Sequence, residues 1–390
     1  MPSGELIFSK CSNTLPVLEM VLQATCVTDL ARLLRLSLQW KQRVHIFLAS
    51  TSRCVDITSD AIARRRSEEA VGFLTRHCSQ LRCVRLGSVH ASALLQLPGC
   101  TEHLVLLDLD FYVGGFHLPH ADYFETWANW VATGWHRLQV LQLHDSANLI
   151  EGSPAKLAAQ AGFGDVLDMV GLHCLHLVYL SVRAPFDDDR EPAPGLPQTC
   201  VRFLEAALQF HSLAYLDLDL PFLDADLSEA GANVSAPICM LRLVADGCGL
   251  YDQLCDFLCR ILPQTSQLVI LTVDGTDGAE TANVMDTLGQ NCQQLRCLSL
   301  DGCEGIPAVL ARLTDQPEWC SQLRALEVRP GEAGDNTPMC DQVDALRQAR
   351  PELSVYPHAE EDIHSAVLQK CVDAARLEFF RMVAGPHILD

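Results

Sequence analysis

Cys292-Gln-Gln-Leu295-Arg-Cys297-Leu298-Ser-Leu300-Asp-Gly-Cys303-Glu-Gly-Ile306 spaces its leucines by three and then by two. In an extended chain Leu298 and Leu300 share one face while Ser299 points to the other. The same signature occurs at Leu81–Leu86, Leu104–Leu109, Leu138–Leu143, Leu177–Val182, Leu213–Leu218, Leu268–Val273 and Leu323–Val328. Weaker copies stand at Val55–Ile57, Met240–Leu243 and Leu353–Val355. Counted between the last apolar residues of successive copies, from Ile57 to Val355, the intervals are 29, 23, 34, 39, 36, 25, 30, 27, 28 and 27 residues.

A short strand returning at that interval marks leucine-rich repeats, in which each unit adds one strand and one helix or turn. Between the strands the apolar residues switch to three- and four-residue spacing. This predicts helices at Ser67–His77, Tyr123–Thr133, Cys200–His211, Tyr251–Leu262, Thr281–Asn291 and Pro307–Leu313. Parallel strands joined by helices with right-handed crossovers give an α/β solenoid, strands on the concave face and helices on the convex one. Residues 51–358 hold the repeats, about eleven units. The helical pattern of residues 359–390, with Ile363, Val367, Leu368, Val372, Leu377, Phe380 and Val383, reads as the cap that closes the last unit.

The Cys292–Ile306 unit resembles the cysteine-containing subtype of leucine-rich repeat, C-x-x-L-x-x-L-x-L-x-x-C-x-x-I, which is common in F-box proteins. Cys78, Cys174, Cys292 and Cys320 each lie eight residues before the last strand position of their repeat, so they share one buried slot at the helix-to-strand turn. The 18 cysteines are therefore read as free thiols of a reducing compartment rather than a disulfide framework, and no paired CxxC suggests a metal.

Ahead of the repeats, residues 10–50 hold Leu15, Pro16, Leu18, Val21, Leu22, Asp29-Leu30, Leu33, Leu36 and Trp40. The module resembles an F-box, whose pattern opens Leu-Pro and continues to Asp-Leu and a Trp. The stretch between Leu15-Pro16 and Asp29 is shorter than in the usual motif, and Leu18 stands where an acidic residue is customary. The resemblance implies that Leu15, Pro16, Leu18, Val21, Leu22, Leu30, Leu33, Leu36 and Trp40 bind a Skp-family adaptor of a cullin–RING ubiquitin ligase. The repeats would then hold a protein substrate. The same residues also suit a helical cap for the solenoid, with Asp29 as an N-cap.

Charge divides the chain: residues 1–100 carry a net +5 and residues 101–390 a net −26. An acidic body repels nucleic-acid backbone and anionic lipid, so neither nucleic acid nor a membrane is an expected partner. Met1–Asn13 holds no apolar run of signal-peptide length, and no run of ~18 apolar residues occurs. The expectation is a soluble protein of the cytoplasm or nucleus. No P-loop, GxGxxG or HExxH is present, and His117 and His120 lack ligand neighbours of metal-site spacing. No catalytic residue, cofactor or metal is expected.

Positions between and just after the core leucines face the concave surface. They include Asp108, Asp110, His144, Arg183, Asp217, Asp219, Asp274 and Asp301, mostly acidic, which favours a basic protein partner. Trp127 and Trp130 are helically spaced and read as core, whereas Phe111, Tyr112 and Phe116 read as a loop-borne anchor. Arg183–Pro197 and Leu220–Pro237 read as long irregular acidic insertions. Two functions remain: substrate receptor of a Skp–cullin–F-box ligase, or a leucine-rich-repeat scaffold outside ubiquitination.

Overall fold

The computed structural model describes residues 53–56, 71–72, 75–76, 81–90, 97, 102–112, 121–145, 154–183, 195–219, 226–228, 230–244, 251–274, 278–303, 305–330 and 337–357. The positions between Leu15 and Trp40 expected to bind an adaptor and the expected cap at residues 359–390 lie outside them, as do Cys78 and Phe116. Among the described residues eleven strands form one sheet in sequence order. They are β1 (Arg53–Asp56), β2 (Leu81–His90), β3 (Leu106–Tyr112), β4 (Val140–Asp145), β5 (Tyr179–Arg183), β6 (Tyr215–Asp219), β7 (Met240–Val244), β8 (Ile270–Asp274), β9 (Cys297–Cys303), β10 (Ala325–Pro330) and β11 (Ser354–Pro357). Each pairs in parallel with the next, so the chain is an α/β solenoid of leucine-rich-repeat type.

The signature leucines explain the layer order. Leu107 and Leu109, Leu141 and Leu143, Leu180 and Val182, and their equivalents up to Leu326 and Val328 form one buried cluster that includes side chains from the helices. Fully burying such a side chain contributes roughly 1.5–3 kcal/mol, so the ladder of aliphatic pairs is the main stabilising body of the molecule. Residues one position away, such as Leu106, Val140 and Tyr179, form a separate cluster on the opposite, concave face.

Between helix and strand one turn recurs. The N–H of the first signature residue donates to the carbonyl three residues earlier: Leu138 to Trp135, Leu177 to Cys174, Leu213 to Phe210, Leu268 to Thr265, Leu295 to Cys292, Leu323 to Cys320 and Leu353 to Arg350. Cys174, Cys292 and Cys320 do occupy one buried slot. The slot is not intrinsically small, however, because Trp135, Phe210 and Arg350 fill it elsewhere. Arg350 there donates to the carbonyls of Trp319 (3.0 Å) and Cys320 (2.9 Å), tying the last turn to the one before it.

Among the described residues the convex layer includes α1 (Ala121–Gly134), α2 (Pro154–His173), α3 (Leu196–Leu208), α4 (Tyr251–Ile261), α5 (Gly278–Asn291), α6 (Ile306–Asp315) and α7 (Thr337–Ala349). Five coincide with expected helices, each expected start falling inside or just after the observed first turn; of the sixth, Ser67–His77, only residues 71, 72, 75 and 76 are described, and they are helical. Trp127 and Trp130 are core as expected, Trp130 meeting Trp135 edge-on at 5.1 Å. α3 and α6 begin with the same device, Gly195-Leu196-Pro197 and Gly305-Ile306-Pro307. Each glycine sits at positive φ (84° and 74°) and the proline occupies the first turn. α2 and α7 have no counterpart in the sequence reading. Phe111 and Tyr112 lie in β3 rather than in a loop, because β2 and β3 stay paired as far as His90 and Tyr112.

Among the described residues no helix joins β6 to β7. An irregular strap, residues 226–228 and 230–239, replaces it, in keeping with the irregular insertion expected there. Neighbouring side chains satisfy its backbone. Arg260 donates to the carbonyls of Leu227 and Ala230, Gln264 donates to Gly231 and accepts from Val234, and Gln209 donates to Asn233. The second expected insertion ends earlier than its sequence limits, since Leu196 and Pro197 already belong to α3.

Candidate functional site

The register aligns the concave face into three rows. The first is apolar and runs through Cys83, Leu106, Val140, Tyr179, Tyr215, Met240, Ile270 and Cys297. Tyr179 and Tyr215 stack at 5.6 Å. This row was not anticipated, although it could have been read as the residue just before the second signature leucine of each repeat.

The second row is polar: Arg85, Asp108, Gln142, Ser181, Asp217, Arg242, Thr272, Ser299, Glu327 and Tyr356. Its members are largely buried and bonded to one another. Arg85 Nε lies 3.0 Å from Asp108 Oδ2. Gln142 Nε2 donates to the Tyr179 hydroxyl at 3.4 Å. Ser299 Oγ donates to Glu327 Oε2 at 3.3 Å. Asp217 is the hub: Ser181 Oγ (3.1 Å) and Arg183 Nη2 (2.8 Å) donate to Oδ2, and Arg242 Nη1 (2.9 Å) donates to Oδ1. Burial alone would push the Asp217 carboxyl up, but the two guanidinia more than reverse this and hold it below the usual carboxylate range. For Arg183 burial disfavours the cation, and Asp217 outweighs that penalty.

The third row comprises Asp110, His144, Arg183, Asp219, Val244, Asp274 and Asp301. Asp110, His144, Arg183 and Asp219 are half-buried. His144 Nε2 lies 3.3 Å from Ser181 Oγ, which links this row to the Asp217 hub. Asp274 and Asp301 are register partners on β8 and β9. The structure therefore brings Asp108, Asp110, His144, Arg183, Asp217 and Asp219 onto one wall over four adjacent strands. It does not present Asp108 and Asp217 as open anions, since both are buried and each already faces arginine. What remains at the surface there is a mixed field of both signs over an aromatic floor.

On the convex side an open cavity of about 460 Å³ lies beside the strap, lined by Arg202, Glu205, Ala206, Gln209, Gly231, Ala232 and Asn233. Arg202 is paired there with Asp168 at 2.8 Å. Among the described residues no group of three or more His, Cys, Asp or Glu is placed to hold a metal. Nor is any described helix long and apolar enough to cross a membrane.

No family model and no curated protein matches the chain. Among solved structures it is similar to the leucine-rich-repeat-containing protein LegL7 from Legionella pneumophila, at 11% identity over 85% of this chain and 92% of that one, with a TM-score of 0.34. It is also similar to a chain of the yeast Rad7 and Elc1 complex, at 14% identity over 89% of each chain, with a TM-score of 0.41. The architecture itself stands on the strand register and burial described above.

Proposed function

We propose that the chain is a protein-binding subunit whose concave wall holds a protein partner, and that its N-terminal module docks a Skp-family adaptor so that a cullin-based ligase modifies that partner. The observation that supports the binding role best is the wall itself: eleven described strands paired in parallel in one sheet, offering an aromatic floor, a cross-braced polar row and a charged outer row. Such a surface positions a macromolecule and raises its effective concentration without bond chemistry of its own. The adaptor role rests on the F-box resemblance of Leu15, Pro16, Leu18, Val21, Leu22, Leu30, Leu33, Leu36 and Trp40.

Because Asp108 and Asp217 are already braced, recognition falls to the half-buried outer residues and the floor. A uniformly basic partner loses much of the attraction that a bare row of aspartates would offer. The adaptor half is tested by measuring binding of a purified Skp-family adaptor to the full chain and to a Leu30→Asp, Trp40→Ala variant. Binding by the wild type alone supports the ligase reading; no binding by either reduces the chain to a leucine-rich-repeat scaffold.

A further inference from the structure

The polar row is satisfied almost throughout, and its one break falls at β8. Thr272 pairs in register with Arg242 on one side and Ser299 on the other, so all three point to the concave face. Arg242 donates to Asp217 and Ser299 to Glu327, but Thr272 Oγ1 is buried and has no hydrogen-bond partner, in a residue only 8% exposed. Arg242 spends one of its guanidinium N–H donors on Asp217 and keeps 24% of its side-chain surface exposed. On the other flank of the hub, Arg183 Nε is likewise buried without an acceptor. A buried hydroxyl left unbonded costs free energy, and folding alone gives no reason to keep one where valine would fit.

Resting on the reading of the concave wall as a protein-binding face, we infer that the Arg242–Thr272 step is the wall's recognition point for an uncharged side-chain amide of the partner, that of an Asn or a Gln. The amide carbonyl accepts from Arg242, and its N–H donates to Thr272 Oγ1 once a turn about χ1 brings the buried hydroxyl to the face. A carboxylate suits the step less well, because the positive charge of Arg183 and Arg242 is already drawn on by Asp217 and, for Arg183, by Asp219. An ammonium group would meet the Arg242 cation directly. Adjacent strands place the Cα atoms of Arg242 and Thr272 about 4.8 Å apart, a span that one amide bridges with both of its polar ends.

The test uses a phage-displayed random peptide library selected on the full chain, with enriched peptides measured against Thr272→Val, Arg242→Gln and Asp219→Arg. The expected result is enrichment of Asn or Gln at one position, with binding about tenfold weaker on Thr272→Val, the loss of one hydrogen bond. The thermal midpoint of Thr272→Val should be equal to or above that of the wild type. Peptides lost on Asp219→Arg but indifferent to Thr272→Val, or enriched without Asn or Gln at any one position, overturn the inference and leave the wall as the binding face. Peptides indifferent to all three variants, or no enrichment, overturn the wall reading as well. A lowered midpoint for Thr272→Val would mean that the hydroxyl is already bonded in the folded chain, which also overturns the inference.

Discussion

Arg183 on β5 reaches across to Asp217 on β6 at 2.8 Å rather than to its own register partner, Asp219. The diagonal leaves Asp217 braced from two sides, by Arg183 and by Arg242 of β7, with Ser181 as a third donor. A carboxylate so held acts as a rivet through three consecutive repeats.

Asp217→Asn should therefore destabilise the fold by on the order of 2–3 kcal/mol, toward the low end for a broken buried pair because Arg183 and Arg242 keep some water contact. Since Asp217 is held below its unfolded value of about 3.9, its contribution is complete above that pH. It is lost as pH falls through the depressed folded value. Chemical denaturation of wild type and Asp217→Asn from neutral to acid pH checks this: the gap between the two should close on the acid side, and a gap that is constant with pH contradicts the ion-pair account.

Gly289 of α5 carries the ring of Trp319, and a Cβ at that position would fall 1.4 Å from Trp319 Nε1. Gly289→Ala should expel the indole from its nearly buried seat and from Arg312, which stands over it at 6.0 Å. The expected cost is about 1–3 kcal/mol, read as a lower thermal midpoint with red-shifted tryptophan emission. An unchanged midpoint would show that the two units are not packed this closely.

Burial pushes the thiols of Cys200 and Cys320 up to about 12 and that of Cys292 up to about 11; Cys174 is raised as well. At pH 8 all four should stay thiols and resist iodoacetamide in the folded chain, reacting only after denaturation. Peptide mass spectrometry with differential alkylation reads the outcome, and labelling of these four in the native protein would contradict their place in the core.

The strands were legible because a short strand with a buried aliphatic pair leaves the same trace in each repeat, from Leu107 and Leu109 to Leu326 and Val328. α2 was not legible. Packed against both α1 and α3, its alanines, glycines and apolar residues spread around the axis instead of forming one stripe. The site was half legible. Alternation placed Asp108, Asp217 and their neighbours on the concave face, but an ion pair such as Arg242 with Asp217 joins residues 25 apart in sequence. Such a pair appears only once adjacent strands are brought into register. Arg85 lay in plain view in the strand Leu81–Leu86, yet its partnership with Asp108 depended on the same alignment. The apolar row escaped because its residues are chemically unlike one another: Cys83, Leu106, Val140, Tyr179, Met240 and Ile270 share a position rather than a type.

Quantitative mass spectrometry of what co-purifies with the tagged full chain from its own cells tests the two-ended binding account most directly. Three forms are compared: wild type, Leu30→Asp with Trp40→Ala, and Asp219→Arg on the concave wall. The account predicts a crossed pattern. The N-terminal variant loses a Skp-type adaptor and cullin but keeps the other partners, whereas Asp219→Arg keeps adaptor and cullin and loses at least one other protein. Identical partner lists from all three forms would contradict it.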